Sequence, residues 1–184
     1  QLNIKKISEI IEESFKHNPD TNIEDFHTKQ NMINIIDYWI KYGSKYKIIG
    51  SEVPFNIRTE NYELNGKIDL IIEKEDGTLK IVDFKNIHSK KAKIQKKEFE
   101  KQIYLYTFAL KEDSYYNKYE ISEGSIFAMR DLTSIDIPLN ETKLKWINKQ
   151  LDNAVNGILK GNFQKNSNHC QKCKFKGVIC NGKN

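Results

Sequence analysis

The sequence predicts an α/β protein in which helices flank a mixed β-sheet. Apolar residues recur at helical spacing near the start of the chain, then at every second position through its middle, and then at helical spacing again. The predicted order of elements is α-α-β-β-β-α-β-β-α. Because a crossover helix joins parallel strands and a tight turn joins antiparallel ones, this order predicts a mixed sheet. The 184 residues are enough for one domain with its own core.

The N-terminal region, residues 1–45, is predicted to form two helices. Their bounds are 3–16 and 22–42. The apolar positions that define them are Ile4, Ile7, Ile11 and Phe15 in the first, and Phe26, Ile33, Ile36 and Ile40 in the second. Asn22 is a suitable N-terminal cap for the second helix.

The central region, residues 46–139, is predicted to hold the sheet and one long helix. Period-two patterns predict strands at 47–58, 62–74, 78–86, 120–129 and 133–138, and a helical pattern covers 93–112. The sequence "EDG" at 75–77 predicts a two-residue hairpin loop, since Asp-Gly tolerates positive φ angles.

The C-terminal region, residues 140–184, is predicted to be a helix followed by a cysteine-bearing tail. The helix begins near Asn140 and ends at Gly161, since glycine is common just past a helix end.

Charge and composition favour a protein that binds a polyanion. The net charge is +5; residues 90–101 hold six lysines against two glutamates, and residues 160–184 hold six lysines and no acidic residue. Either stretch alone is equally explained by a solvated surface. No membrane span or signal peptide is visible, so we expect a cytoplasmic protein without a membrane partner. Because the chain begins with Gln1 rather than Met, we interpret it as part of a longer protein or as a processed product.

The predicted hairpin carries an unusual set of charges. Asp83 and Lys85 are two apart in one strand and therefore project from one face, while Asp69 lies on the preceding strand. Antiparallel pairing can bring the two carboxylates close enough to share a cation, and oxygen ligands favour Mg²⁺ or Mn²⁺. Such an ion supports phosphodiester hydrolysis, and Lys85 would orient the attacking water or stabilise charge in the transition state.

Each of these motifs taken alone is weak evidence for a nuclease. Glu141 and Lys143 repeat the acid-x-Lys pattern on the last helix, and charges at strand edges also keep a sheet soluble. The combination is stronger: Gly66-x-x-Asp69 and Asp83-Phe84-Lys85 are followed by Gln102 and Tyr106, four apart on one helix face. This set resembles the PD-(D/E)XK nuclease superfamily, and Gln102 with Tyr106 resembles the QxxxY motif of its RecB/AddAB-like branch.

The resemblance implies a restriction-endonuclease-like fold and a set of site residues. Asp69, Asp83 and the backbone carbonyl of Phe84 would hold Mg²⁺ or Mn²⁺, with Lys85, Gln102 and Tyr106 as catalytic neighbours. The family's metal-binding histidine would fall before Gln1. His17 and His27 lack its surrounding pattern, and we interpret them as surface residues. Glu52, three before Phe55, is similar to a strand-one glutamate of these enzymes; it either supports the site or is a solvated strand residue.

Three cysteines lie near the end of the chain. Cys170, Cys173 and Cys180 are too few for a tetrahedral metal site, and His169 is poorly placed to complete one. Related nucleases close a similar group with a cysteine upstream of the nuclease core, which would lie before Gln1, and hold a 4Fe-4S cluster. The alternative is three free thiols on a flexible tail.

The predicted function is therefore metal-dependent DNA cleavage in repair or recombination. The resemblance implies the C-terminal nuclease domain of a UvrD-like helicase–nuclease, with single-stranded DNA as substrate and a helicase in the same or a partner chain. Two alternatives stay open: a non-catalytic DNA-binding module of the same fold, and a CRISPR-associated adaptation nuclease.

Overall fold

The computed structural model describes residues 5, 6, 9, 10, 13, 26–163, 170 and 173–178. Its helices are α1 (Phe26–Tyr42), α2 (Ser89–Ile94), α3 (Lys96–Glu112) and α4 (Glu141–Leu159), with a short 3-10 turn at Gly43–Lys45. Its strands are β1 (Lys47–Arg58), β2 (Glu63–Glu73), β3 (Leu79–Lys85), β4 (Ile121–Ala128) and β5 (Thr133–Pro138). The described residues between 5 and 13 are helical, and the rest of the first predicted helix lies outside the described residues.

The five strands form one sheet in the order β1-β2-β3-β4-β5. Neighbours are antiparallel except β3 and β4, which are parallel and are connected through α2 and α3. The predicted mixed sheet with flanking helices is confirmed: among the described strands, the parallel pair is the one that a helical crossover joins, and the other pairs are antiparallel.

Apolar side chains cover both faces of the sheet. On one face Ile71 and Ile81 pack with Ile103 and Leu110 of α3 and with Leu144 of α4. On the other face Leu70, Ile72, Val82 and Phe127 pack with Tyr38 and Trp39 of α1. A strand covered on both sides carries consecutive apolar residues, which explains "LII" at 70–72 in β2 and "IV" at 81–82 in β3.

The β2–β3 hairpin differs from the prediction in its loop. Lys74 and Thr78 still pair through Lys74 N to Thr78 O at 2.9 Å, which leaves three residues, 75–77, in the loop. Within this loop only Gly77 has a positive φ, at 80°, and the Asp76 carboxylate accepts hydrogen bonds from Thr78 N and Oγ1. The prediction of a two-residue loop is wrong because the aspartate side chain organises a longer turn.

The helix predicted over 93–112 is two helices that meet at Gln95. The first begins at Ser89, whose backbone N and hydroxyl donate to the Asp131 carboxylate at 3.0 and 2.6 Å. Asp131 follows β4 and is distant in sequence, so no local pattern around Ser89 shows this start. The lysine-rich stretch 90–101 therefore spans most of α2 and the first six residues of α3.

The chain divides into two compact units, residues 1–148 and 149–184. The first unit holds the whole sheet, α1 to α3 and the beginning of α4. The second holds the rest of α4 and the described cysteines. A bilayer-spanning segment is absent from the helices that the structure describes.

Candidate active site

The β2–β3 ladder ends just before the two aspartates. Leu70 opposite Val82 is the last pair, so Asp69 and Asp83 stand where the two strands separate. Beyond that point the Asp69 side chain replaces a backbone partner, since its Oδ2 accepts a hydrogen bond from Phe84 N at 2.8 Å. The local folding of the hairpin thus holds both acidic residues at one split in the sheet.

Asp83 is almost completely buried, with 1% of its surface exposed. Burial disfavours the charged form and raises the pKa of the Asp83 carboxyl group above its ordinary value; the negative charge of Asp69 acts in the same direction, and Lys85 opposes both. The Asp83 Oδ2 atom lies 2.8 Å from Lys85 Nζ but has no aligned hydrogen-bond donor in the described part of the chain. This carboxylate therefore has unused capacity for a cation.

Lys85 is held from three directions at the end of β3. Besides Asp83, its ammonium group donates a hydrogen bond to Gln102 Oε1 at 3.0 Å and lies 5.4 Å from the centre of the Phe99 ring. Its side chain keeps 24% exposure, so it lies at the edge of the buried carboxylate site. A lysine held in this way presents a fixed positive charge to an anionic substrate.

Helix α3 supplies the residues that position Lys85. Gln102 lies three residues after Phe99 and four before Tyr106, so all three share the helix face that covers the sheet. Gln102 Nε2 donates to the Tyr106 hydroxyl at 2.5 Å while its Oε1 accepts from Lys85. Burial raises the pKa of Tyr106, and the charges of Asp83 and Asp69 raise it further, so its hydroxyl stays neutral.

Gly66 is needed because a ring occupies the space of its missing side chain. Phe55 lies directly opposite Gly66 in the β1–β2 ladder, and a Cβ on Gly66 would lie 2.5 Å from the Phe55 ring. The same ring meets Tyr106 edge-on, with 5.9 Å between ring centres. The glycine of the Gly66-x-x-Asp69 motif therefore gives Phe55 room to pack on Tyr106.

The carboxylates present fit a hard divalent cation. Asp69 uses Oδ2 for Phe84 N, which leaves its Oδ1 without a hydrogen bond among the described residues, and Asp83 keeps the unaligned Oδ2. Two carboxylates and a backbone carbonyl are hard oxygen donors of the kind that Mg²⁺ and Mn²⁺ accept together with water. No cluster of three or more acidic, His or Cys side chains suited to a metal occurs in the described part of the chain.

Glu52 lies next to this site in the β1–β2 register, but its carboxylate pairs with a lysine outside the site. Its neighbours in β1 pair with Leu70 and Ile68, so its register position is opposite Asp69. Its carboxylate nevertheless contacts Lys67 Nζ at 2.8 Å, and its φ of 51° is unusual for a residue other than glycine. The structure thus places Glu52 in an exposed ion pair.

Sequence reasoning missed Phe55 and Phe99 as parts of the site. Both read as ordinary core residues, yet the first contacts Tyr106 and the second contacts Lys85. Two signals were present: Phe99 precedes Gln102 by three positions on its helix, and an aromatic residue opposite a strand glycine often packs over it.

The remaining predicted site residues are only partly described. Cys170 is half-buried and Cys173 is exposed, both with free thiols, and Cys173 N approaches Cys170 O at 3.4 Å. Cys180, His17 and His169 lie outside the described residues, as does the side chain of His27. Binding of a cluster by the cysteines stays a prediction.

Comparison with known proteins gives one family. A family model described as the PD-(D/E)XK nuclease superfamily matches residues 7–181. No curated protein matches the chain. A solved structure titled "Crystal structure of SSO0001" is similar with 16% sequence identity and a TM-score of 0.46, over 94% of this chain and 79% of that one. The family match includes all the elements that carry the acidic pair, Lys85 and the Gln102–Tyr106 helix.

Proposed function

The chain belongs to the PD-(D/E)XK nuclease superfamily, and from that premise we propose that it is a metal-dependent deoxyribonuclease. The reaction is hydrolysis of a phosphodiester bond. One observation carries the proposal: a buried aspartate with an unaligned oxygen, beside a second carboxylate and a lysine that helix α3 holds in place. A buried charge without complete hydrogen bonding destabilises a fold, so such a group points to a functional role.

Each residue has a role that follows from its contacts. A divalent cation held by Asp69, Asp83 and the Phe84 carbonyl would lower the pKa of water and neutralise charge on a phosphoryl oxygen. Lys85 places its ammonium group where negative charge develops in the transition state. Gln102 fixes the position of that ammonium group, and Tyr106 fixes the amide of Gln102.

The test is cleavage of labelled single-stranded and double-stranded DNA with Mg²⁺ or Mn²⁺. We expect Asp83→Asn to abolish cleavage, and Lys85→Ala to lower kcat by about 10²–10³-fold, the usual loss when a transition-state donor is removed. Gln102→Ala leaves Lys85 in place but less constrained, so this variant should lower kcat by a smaller factor, about tenfold.

Matched controls separate this site from general loss of charge. Asp136→Asn and Lys47→Ala remove one exposed carboxylate and one exposed ammonium group from other strands, and both should cleave at the wild-type rate. DNA binding without metal-dependent cleavage by the wild-type chain would contradict the proposal and favour the non-catalytic DNA-binding module.

The finer assignments are part of the same proposal. The Gln102–Tyr106 pair supports the RecB/AddAB-like branch, and with it a role in DNA repair or recombination beside a helicase in the same or a partner chain. Cys170, Cys173 and Cys180 would then hold a 4Fe-4S cluster with a fourth ligand from elsewhere. Iron and sulfide analysis of anaerobically purified protein tests the cluster independently of cleavage.

A further inference from the structure

A groove between α3 and the start of α4 is unused by the site described above. It encloses about 570 Å³ and is lined by Lys97, Glu100, Lys101, Tyr104, Lys143 and Trp146. The α3 residues among them follow the spacing i, i+3, i+4, i+7 and therefore form one stripe. On a helical wheel this stripe lies opposite the face that carries Gln102 and Tyr106. The groove is thus a second surface of the same helix.

Hydrogen bonds order the floor of the groove. Tyr104 is buried, its hydroxyl donates to Pro138 O at 3.0 Å, and the same oxygen accepts a hydrogen bond from Asn140 N at 3.1 Å. These bonds connect the residues just before α4 to α3. A surface that is already ordered loses little conformational entropy when it binds a ligand.

One wall presents an exposed aromatic ring. Trp146 keeps 43% exposure although indole is among the most apolar surfaces a protein carries. It lies three residues after Lys143, whose ammonium group is 5.8 Å from the Tyr104 ring. A partly exposed indole that shares a groove with aromatic and cationic side chains is suited to bind a flat, electron-rich ring.

The opposite wall is basic. It carries Lys97 and Lys101 against Glu100, whereas Lys143 belongs to the α4 wall together with Trp146. Lys143 pairs with Glu100 at 2.5 Å and Lys101 pairs with Glu98 at 3.2 Å, whereas Lys97 has no ion-pair partner among the described residues. Three more lysines, at 90, 91 and 93, continue the positive charge along α2. The ligand that matches this wall is an extended polyanion.

We propose that this groove binds single-stranded DNA, with a base stacked on Trp146 and phosphates along Lys97 and Lys101. Stacking platforms flanked by lysines suit single strands, because the bases of a duplex are already stacked on each other. The inference rests on the proposed nuclease function and extends it, since a strand held on the far side of α3 is a contact separate from the acidic site.

The test measures binding without divalent cation, so that cleavage plays no part. A labelled 20-nucleotide oligothymidine is titrated with the full chain in EDTA, and anisotropy gives Kd at several salt concentrations. We expect Trp146→Leu to weaken binding about tenfold and Trp146→Phe to restore it to within about threefold, since a ring remains available for stacking. Lys97→Gln should reduce the slope of log K against log salt by about 0.7, the value for one single-strand phosphate contact.

The matched control is a second exposed aromatic residue beside a lysine. Tyr115 is 52% exposed, with Lys118 Nζ 4.5 Å from its ring centre, and Tyr115→Leu should bind like the wild type. The proposal is overturned if Trp146→Leu binds as tightly as the wild type, if Tyr115→Leu loses as much affinity, or if a duplex of the same length binds equally well and shows the same losses.

The outcome for the groove is distinguishable from that for the acidic site. Oligothymidine binding that depends on Trp146, in a chain that fails to cleave DNA with Mg²⁺ or Mn²⁺, supports the groove and contradicts the nuclease proposal. Cleavage of DNA together with binding that is indifferent to Trp146 supports the nuclease proposal and overturns the groove.

Discussion

Replacing Gly66 by alanine should impair catalysis more than stability. The new methyl group would displace the Phe55 ring, and Phe55 would in turn displace the Tyr106 ring at the site. The new Cβ would lie 2.5 Å from Phe55 Cζ and 2.8 Å from Cε1. Ordinary carbon contacts are about 3.5–4.0 Å, so the ring must move by about 1 Å or more. The Phe55 ring packs edge-on against Tyr106, which in turn holds Gln102.

The expected size of the effect follows from these contacts. A misplacement of about 1 Å near a reacting group can lower the rate about 10²-fold, so we expect kcat/KM to fall by about 10–100-fold. Overpacking destabilises a fold by about 1–3 kcal/mol, and removal of a strand glycine returns about 0.5–1 kcal/mol. The net loss of stability should be about 0–2.5 kcal/mol, which lowers Tm by no more than about 10 °C.

The assay is a double-mutant cycle with Phe55→Leu, read as kcat/KM for cleavage and as Tm. Leucine lacks the outer ring atoms that the new Cβ would meet, so Gly66→Ala should cost less than about threefold in the Phe55→Leu background. The reasoning is refuted if Gly66→Ala keeps at least half of the wild-type kcat/KM, or if its loss is equally large with leucine at position 55.

Four further predictions follow from burial and packing. Because the pKa of Asp83 is raised, the acidic limb of kcat/KM should lie above the ordinary aspartate value of 3.8 and should move to lower pH as Mg²⁺ is increased, since cation and proton compete. A carboxyl group whose pKa is higher in the folded than in the unfolded state stabilises the fold only at low pH, and that contribution is lost as the pH rises. Asp83→Asn should therefore raise Tm of the metal-free protein at pH 7.5. The increase in Tm should become smaller as the pH is lowered. Mg²⁺ at 100 times its Kd should stabilise the wild type by about 2.7 kcal/mol and leave the Asn variant unchanged in thermal melts. Gly124→Ala places a Cβ in steric overlap with Ile103 Cγ2 and should lower Tm, whereas the new Cβ of Gly157→Ala on α4 meets nothing within 4 Å and should stabilise the helix by about 1 kcal/mol.

The strands and helices were predictable because their apolar residues repeat at local spacings of two or of three to four positions. All five strands occur within two residues of their predicted bounds, since alternation and turn residues act over a few positions. The same local rules bring Asp69 and Asp83 to neighbouring strands through a short hairpin, whatever the rest of the chain does. The start of α2 was not predictable, because its N-terminal partner is Asp131, a residue far along the chain.

The sequence by itself determined the order of elements, the acidic hairpin and the helix face that carries Gln102 and Tyr106. Only the tertiary structure decided that this face meets Lys85, that Phe55 fills the space over Gly66, and that Trp146 stays exposed in a groove that Lys97 also lines. The physical reason is that hydrogen bonding and side-chain alternation are short-range, whereas the contact between a helix and a sheet depends on shapes contributed by residues distant in the chain.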